Sequence, residues 1–209
     1  MSFDAIARGY RFVEALVFGP ALQRARVAWL GEVTTVRQAL VVGEGDGRFL
    51  EQLLRVAPDV RVECVDASAR MLELATARVP SDRVTWVQAD LATYVPHQRY
   101  DLVVTHFVLD CLDGATLPVL VARLAGALEP GGRWLLADFR VPKGRLRSLR
   151  AHFWLFMMYA FFRLVAGLRV RALVDPTPSL ETSGLVRQCF VETDAGFLGS
   201  AVWRQPSAC

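Results

Sequence analysis

Short apolar segments alternate with segments of helical periodicity between residues 37 and 140, and this alternation restricts the fold more than any other feature of the chain. Two apolar segments, Leu40-Val41-Val42 and Leu102-Val103-Val104, are hydrophobic at consecutive positions, as expected for strands buried on both faces. Strands and helices at this spacing form right-handed crossovers in a parallel sheet with helices on both faces. The pattern therefore predicts an α/β fold with a Rossmann-like, doubly wound sheet.

Turn residues set the bounds of the predicted elements. Pro58 ends one helix, and Pro130-Gly131-Gly132 ends another. We predict strands over residues 38–42, 60–65, 84–88, 101–105 and 133–139, and helices over 49–57, 68–79 and 116–128.

The last part of the chain leaves this alternation. Two strand-like runs, 185–192 and 197–204, are separated by only four residues. So short a link cannot hold a crossover, so we predict an antiparallel hairpin over 185–204. The sheet then has seven strands and is mostly parallel, with one antiparallel strand near an edge.

The chain is predicted to form a single domain over residues 1–209, because no long polar linker interrupts it and its length is typical of one domain. Two N-terminal helices, 3–18 and 21–30, precede the core. We divide the domain into N-terminal helices (1–30), a ligand-binding core (37–140), a helical insertion that acts as a lid (143–175) and the terminal hairpin (185–204).

Composition excludes several classes of protein. With 53% hydrophobic residues the chain can build a sizeable core, and a net charge of +3 is too small to indicate nucleic acid as a partner. The four cysteines are far apart, which argues against a metal site and against a disulfide framework. The chain does not begin with a basic and then apolar leader, so a cytoplasmic location is expected.

A glycine-rich loop lies between the first predicted strand and the next helix. Gly43, Gly45 and Gly47 allow a tight turn and let a ligand approach the main chain. A dinucleotide site would need its third glycine at Arg48, and the lysine of a phosphate loop is missing, since the only lysine is Lys143. The loop therefore favours a ligand without a polyphosphate; a plain tight turn is the alternative.

Two aspartates follow the next two strands of the predicted sheet. Asp66 comes 23 residues after Gly43, where a carboxylate can accept hydrogen bonds from both hydroxyls of a ribose. Asp90 follows the third strand, where it can accept a hydrogen bond from an adenine amine. Each could instead cap a helix, Asp66 because it stands two residues before Ser68.

On these residues the sequence resembles the class I S-adenosylmethionine-dependent methyltransferases, over about residues 38–140 and in the terminal hairpin. It is similar to their small-molecule enzymes, which include the ubiquinone and menaquinone biosynthesis branch. The motifs that carry the resemblance are Val41-Val42-Gly43-Glu44-Gly45-Asp46-Gly47, Cys64-Val65-Asp66, Gln88-Ala89-Asp90, Tyr100-Asp101-Leu102-Val103 and Leu128-Glu129-Pro130-Gly131-Gly132.

The resemblance implies S-adenosyl-L-methionine as the cofactor and S-adenosyl-L-homocysteine as its product. It places the glycine loop beside the methionine part of the cofactor and Asp66 on the ribose. The adenine is expected to meet Asp90 and the backbone of Leu91, with Ala67 or Met71 packed on the purine. Where the family has an acid two residues before the first glycine, this chain has Val41, so Glu44 is the alternative contact to the amino group.

His106 ends the fourth predicted strand, at the edge of the sheet where open α/β folds bind ligands. Histidine suits proton transfer near neutral pH, so we predict His106 as a general base or acceptor-orienting group beside the cofactor. Asp110 is four residues further on and is predicted to orient it. A histidine that merely caps the loop is the alternative. In the family that the sequence resembles, the N-terminal helices often cover the cofactor site, so the resemblance implies that Tyr10 closes over it; as the alternative Tyr10 belongs to the core.

The predicted insertion is basic and apolar. From Arg140 to Val174 there are eight lysines and arginines and no acidic residue. The apolar run Phe153–Phe162 would extend about 15 Å as a helix, half of the hydrocarbon thickness of about 30 Å, so it should not cross a membrane.

Three interpretations of the insertion remain open. It is a lid that lines the acceptor pocket, ordinary packing, or an interfacial helix within 143–170 that binds anionic lipid. As a lid it would contact the acceptor through four side chains: Trp154, Met158, Tyr159 and Phe162.

These observations predict methyl transfer from S-adenosylmethionine to a small apolar or aromatic acceptor. Two alternatives remain: a non-catalytic protein that binds S-adenosylmethionine, and a nicotinamide-dependent oxidoreductase. A nucleic acid is not expected as substrate, because the aromatic residues follow the basic ones as a block instead of alternating with them.

Overall fold

The computed structural model describes residues 20–166, 170 and 172–207. Seven strands form one sheet in the order β3-β2-β1-β4-β5-β7-β6. Their bounds are β1 Gln38–Val42, β2 Arg61–Asp66, β3 Val84–Gln88, β4 Tyr100–His106, β5 Leu128–Phe139, β6 Val186–Thr193 and β7 Leu198–Arg204.

Strand directions confirm the predicted fold class. β1, β2, β3, β4 and β5 pair in parallel, whereas β7 is antiparallel to both β5 and β6. The terminal hairpin therefore places a single reversed strand next to the edge of the sheet, as the short link before residue 197 predicts. β5 is longer than expected, because pairing with β4 begins at Leu128 and resumes after a shift at Arg133.

Six α-helices are described, and 3-10 helices occupy some of the connections. The α-helices are α1 Ala21–Val27, α2 Arg48–Val56, α3 Ala69–Arg78, α4 Thr116–Gly126, α5 Arg145–Ala166 and α6 Thr177–Thr182. In the described residues of the insertion the structure shows one helix, α5, of 22 residues. The short helix α6 was not predicted. The first predicted helix, 3–18, and Tyr10 with it, lie outside the described residues.

Buried side chains fall into three groups that follow the layers. Leu40, Val42 and Val103 belong to the sheet face covered by α4 and α6, with the indole of Trp134 bonded to Thr105 Oγ1 at 2.7 Å. The opposite face packs on α2. A third group joins α1 and α5 to the tips of β5 and β7. Each central strand is thus buried on both sides, which explains its uninterrupted hydrophobicity.

Helix α5 is the longest helix described, and its sequence is apolar over ten consecutive positions. Within the described part of the chain, no helix combines the length and the hydropathy needed to cross a lipid bilayer.

Candidate functional site

The order of strands reverses between β1 and β4, and the crevice at that point lies outside the carboxyl ends of the strands. Gly43 follows β1, and His106 ends β4. The two loops touch: a Cβ added at Gly43 would lie 2.6 Å from Val108 Cγ2. Gly43 thus permits the close approach of the loop after β1 to the loop after β4.

The three glycines of the loop have positive φ angles, and only one faces open space. A Cβ at Gly47 would lie 3.0 Å from the Cα of Ala75 in α3, so this glycine lets the helix pack against the loop. At Gly45, where φ is +74°, a Cβ would meet no atom within 4 Å. Gly45 is therefore where the loop offers bare main chain to a ligand.

Glu44 is buried, and its carboxylate serves helix α2. Its Oε1 accepts hydrogen bonds from the backbone N–H groups of Phe49 and Leu50, both at 3.0 Å. These are donors that the first turn of a helix otherwise leaves unpaired. Burial raises the pKa of Glu44 to about 7. A contact from Glu44 to the cofactor's amino group stays a prediction.

Asp66 connects the glycine loop to helix α3. Its Oδ2 accepts from the Gly45 N–H at 3.3 Å, and its Oδ1 accepts from the Ser68 N–H at 2.9 Å. Ser68 in turn caps α3, because its hydroxyl accepts from the Met71 N–H. The helix-cap role considered for Asp66 is therefore filled by Ser68, and Asp66 holds the loop in place.

Sequence reasoning missed a second anchor of this loop. Arg78, in the last turn of α3, donates to the backbone oxygen of Asp46 at 2.7 Å and to its Oδ2 at 3.2 Å. Arg48 also pairs with the Asp46 carboxylate. The loop is held from both sides, so Gly45 lies in a preorganised turn.

The residues expected around an adenine lie beyond β2 and β3. Pairing of Asp66 with Gln88 places Asp90 near Asp66 at the same edge of the sheet. Asp90 is exposed, and its Oδ1 accepts from the Ala92 N–H at 2.9 Å. Leu91 and Met71 are buried, and Ala67 is half-buried. An exposed carboxylate beside apolar side chains can receive a flat, partly polar ligand.

His106 lies on the α2 side of the sheet, with its ring edge-on to Phe49 at a centroid distance of 4.5 Å. It is buried, and its Nδ1 has no hydrogen-bond partner among the residues described. Burial, and then the positive charge of Arg26, lower the pKa of His106 to about 3. The imidazole is therefore neutral near pH 7.

The predicted pairing of Asp110 with His106 is not formed. Phe107 adopts φ +55°, which breaks the helical spacing that the pairing requires, and the chain continues into a 3-10 helix, Leu109–Cys111. Asp110 Oδ1 instead accepts a weak bond from the Cys111 thiol at 3.7 Å. Asp110 thus does not orient His106.

Asp110 is paired with Asp138, a residue that the sequence analysis did not select. Asp138 lies near the end of β5, and its Oδ2 accepts from the Asp110 N–H at 3.2 Å. Both carboxyl groups are buried. Burial raises the pKa of Asp110 to about 6, and burial together with the nearby charge of Asp110 raises that of Asp138 well above its usual value. Two carboxyl groups this close favour sharing one proton.

Helix α5 covers the loop that follows β4. The Tyr159 hydroxyl donates to the backbone oxygen of Asp110 at 3.2 Å, and Tyr159 is buried. Trp154 and Met158 are half-buried in the same group as Phe107. Three of the four predicted acceptor contacts therefore lie on the buried side of α5, while the side chain of Phe162 lies outside the described residues.

Arg26, in α1, is a further residue near the site that the sequence did not indicate. Its guanidinium lies over the ring of Phe107, 5.2 Å from the centroid, and its charge acts on both Glu44 and His106. Its position depends on how α1 packs, and no local pattern marks it.

The other side of α5 is exposed and apolar. The exposed fractions are 85% for Leu146, 69% for Leu149, 57% for Phe153, 69% for Phe156 and 47% for Met157. Their spacing of three and four residues places them along one stripe of the helix. Large apolar side chains so exposed, and side by side, are uncommon on a surface that contacts only water.

Comparison with known proteins agrees with this geometry. Residues 39–132 match the family described as "Methyltransferase domain". A trans-aconitate 2-methyltransferase of Methylobacterium radiotolerans is 40% identical over 97 residues, which cover 46% of this chain and 35% of that protein. A 3-amino-4-hydroxybenzoate 4-O-methyltransferase of Streptomyces cremeus is 29% identical over 128 residues, which cover 60% of this chain and 35% of that protein. The matched segments thus span about a third of each relative's length.

A solved structure extends the likeness to most of the fold. The N-methyltransferase NodS from Bradyrhizobium japonicum, in complex with S-adenosyl-L-homocysteine, superposes with a TM-score of 0.65 and 19% identity. The superposition covers 89% of this chain and 88% of NodS. At this identity it shows a common fold.

Proposed function

We propose that this chain, whose residues 39–132 form a class I S-adenosylmethionine-dependent methyltransferase domain, transfers a methyl group to a small-molecule acceptor. The observation that carries the proposal is the junction of Gly45 and Asp66, where bare main chain and a buried carboxylate meet at the carboxyl ends of β1 and β2.

The residues at this edge fit S-adenosylmethionine. The open space at Gly45 admits a ligand to the main chain, as a loop beside the methionine part requires. Asp66 would hold the ribose hydroxyls through its carboxylate oxygens, and Asp90, Leu91 and Met71 would hold the adenine. The chain resembles this family without the usual acid at position 41, so the cofactor's amino group needs another partner, for which Glu44 stays our prediction.

When bound, the cofactor supplies a methyl group already activated on a sulfonium. The protein then has to align donor and acceptor and exclude water, and such positioning is worth up to several kcal/mol. In this proposal the anchored glycine loop and Asp66 position the methyl donor. Helix α5, through Tyr159 and its half-buried neighbours, covers the loop after β4 and positions the acceptor.

His106 acts as an acceptor-orienting group in this scheme. A pKa of about 3 makes the imidazole a weak base at neutral pH, which disfavours the general-base role. Its Nδ1 is buried and unpartnered among the described residues, so the bond to the acceptor is proposed at the other ring nitrogen, Nε2, which accepts or donates depending on the tautomer.

The acceptor is small and apolar or aromatic. The buried side of α5 offers Trp154, Met158 and Tyr159, which suit such a molecule. One relative is named for an aromatic acceptor, 3-amino-4-hydroxybenzoate, and another for trans-aconitate. Neither name fixes the acceptor here.

Calorimetric titration of the full chain with S-adenosylmethionine, S-adenosylhomocysteine and NAD tests the proposal. We expect the first two to bind, NAD not to bind, and Asp66→Ala to lose the binding. Asp59→Ala, an exposed aspartate in the turn before β2, is the matched control and should bind normally. Absence of binding in the wild type, or binding of NAD instead, would contradict the proposal. Binding without turnover across an acceptor screen would indicate the non-catalytic alternative.

A second proposal concerns where the protein works: a cytoplasmic location, with α5 in contact with the surface of an anionic membrane. The exposed stripe from Leu146 to Met157 gives the helix an apolar side. Lys143, Arg145 and Arg147 are exposed at its start. Each such cation is worth about 1 kcal/mol near anionic lipid, and the apolar stripe adds burial.

Vesicle flotation at low salt tests this contact. We expect the chain to float with vesicles containing phosphatidylserine and less with pure phosphatidylcholine. The double variant Leu149→Ser/Phe156→Ser should remain at the bottom of the gradient, while Val119→Ser, which alters an exposed apolar residue of α4, should float like the wild type. No association of the wild type with anionic vesicles would exclude the interfacial role of α5.

A further inference from the structure

A cavity of about 200 Å³ lies on the α6 side of the sheet, beyond the site described above. Strands β5, β7 and β6 form one part of its wall, and residues 173–177, which lead into the first turn of α6, form the other. Its apolar lining includes Leu136, Leu173, Phe190, Ala201 and Trp203. We call it the β5–β7 cavity. Nothing in the scheme above uses it.

The size of the β5–β7 cavity limits its occupant. A cavity of about 150 Å³ lined by apolar side chains binds benzene. A space of about 200 Å³ therefore holds one aromatic ring with a small substituent. The aromatic side chains of Phe190 and Trp203 suit a flat ligand.

Two arginines and two aspartates line the cavity: Arg140, Arg187, Asp138 and Asp175. Arg140 is paired with Glu192 and lies over the ring of Phe190, 4.6 Å from its centroid, and Asp175 accepts from the Thr177 N–H at the start of α6. Arg187, by contrast, has no carboxylate partner among the described residues. Its guanidinium lies 5.1 Å from the ring centroid of Phe190 and 5.6 Å from that of Trp203.

Stacking of this kind holds a guanidinium in place and leaves its in-plane N–H groups able to bind a carboxylate in a bidentate manner. The ring of Trp203, which is 1% exposed, forms part of the same wall.

The cavity adjoins the loop that α5 covers. Asp138 is one of the residues that line the cavity, and its Oδ2 accepts from the Asp110 N–H at 3.2 Å, in the segment that follows β4. A molecule in the cavity thus touches the residue that contacts the edge where the methyl donor is proposed to lie.

We propose that the β5–β7 cavity binds the carboxylate-bearing aromatic part of the methyl acceptor, with the carboxylate on Arg187 and the ring against the apolar lining of the cavity. That the ligand of this cavity is the methyl acceptor depends on the proposed methyl transfer. The binding of an aromatic carboxylate does not depend on it.

Ligand-observed NMR on the full chain, with benzoate and its neutral isostere benzamide as probes, tests the site. We expect benzoate to bind at least tenfold more tightly than benzamide, because a charged hydrogen bond of this kind is worth about tenfold or more in affinity. Arg187→Leu should remove that difference, and Arg187→Lys should keep part of it. Arg187 is exposed, so these variants should fold; Arg61→Leu, at an exposed strand position of β2, is the matched control.

Equal affinity for benzoate and benzamide, or an Arg187→Leu variant that still prefers benzoate, would overturn the site. Failure of the methyl-transfer proposal has a different signature, since S-adenosylhomocysteine would then not bind while benzoate still would. In turnover assays, acceptors that carry a carboxylate should lose at least tenfold in kcat/KM with Arg187→Leu, and neutral acceptors should not. An equal loss for both kinds of acceptor would separate the cavity from the reaction.

Discussion

The backbone N–H of Gly45 donates to Asp66 Oδ2 at 3.3 Å, and this bond joins the loop after β1 to the end of β2. The same carboxylate fixes the turn into α3 through Ser68. One buried side chain therefore sets the relative position of two loops at the crevice. Any ligand that bridges the loops finds them already arranged.

Replacing Gly45 with alanine should weaken cofactor binding at least tenfold and leave the fold intact. The new methyl group would meet no protein atom, so the cost to folding is the strain of a positive φ, about 1–2 kcal/mol. The methyl group would occupy the space through which a ligand reaches the main chain. Calorimetry with S-adenosylhomocysteine should show at least a tenfold loss.

Gly144→Ala is the control for this strain. Gly144 has φ +102° and open space, and it lies before α5, away from the crevice. Its alanine variant should show a similar loss of stability and normal binding of S-adenosylhomocysteine. Normal binding by Gly45→Ala would contradict the proposed role of the loop.

Glu44 should matter for stability as an acceptor of hydrogen bonds more than as a charge. Glu44→Ala leaves the N–H groups of Phe49 and Leu50 without an acceptor, which we expect to cost about 1–3 kcal/mol in the free energy of unfolding. Glu44→Gln retains the acceptor oxygen and should cost less. Urea unfolding at pH 7 measures both. Glu51→Ala, which removes an exposed pair with Arg55, should change stability by at most about 0.5 kcal/mol.

The architecture of the sheet and the glycine-loop part of the site could be predicted from sequence, because both depend on local patterns. Uninterrupted apolar runs mark strands buried on both faces, and a four-residue link forces the terminal hairpin. Gly45 and Asp66 were predictable for the same reason, since each lies at or shortly after the carboxyl end of a strand. The carboxyl ends of parallel strands meet at one edge, so sequence position alone brings them together.

The residues that were missed depend on pairing across the sheet. Asp138 meets Asp110 only because β4 pairs with β5, with His106 opposite Ala137. The pairing of Asp110 with His106 was wrong because a spacing of four assumes a helix, and the positive φ of Phe107 prevents one. Backbone reversals of this kind at a residue other than glycine leave no pattern in the sequence.

The free energy of unfolding should fall as pH rises from about 4, and it should fall less in the variant Asp138→Asn. The pKa values of Asp110 and Asp138 are raised by folding, so the native state holds protons that the unfolded chain releases. The stabilisation is complete below the unfolded pKa of about 4. For Asp110 it is lost as pH rises through about 6, and for Asp138 as pH rises through its raised pKa.

Melting temperatures from pH 4 to pH 8 measure this effect. The decline over that range should be smaller for Asp138→Asn than for the wild type. Asp175 is an exposed aspartate that lines the β5–β7 cavity, and Asp175→Asn should leave the decline in melting temperature unchanged. The buried Glu44, whose pKa is about 7, adds to the decline in all three proteins, so the comparison isolates the aspartate pair. An identical decline in Asp138→Asn would show that the pair does not share a proton.

Loss of the His106 side chain should lower turnover without changing its pH profile. An imidazole with a pKa of about 3 does not titrate between pH 5 and pH 9, so the profile of kcat/KM in that range cannot come from it. His106→Ala and His106→Gln should therefore reduce kcat/KM for a true acceptor by about tenfold, the value of one positioning hydrogen bond, with the profile unshifted. His152→Gln, on the exposed part of α5, should behave like the wild type. Unchanged turnover in both His106 variants would remove the orienting role, and loss of an ionisation near pH 6 or pH 7 would instead restore His106 as the base.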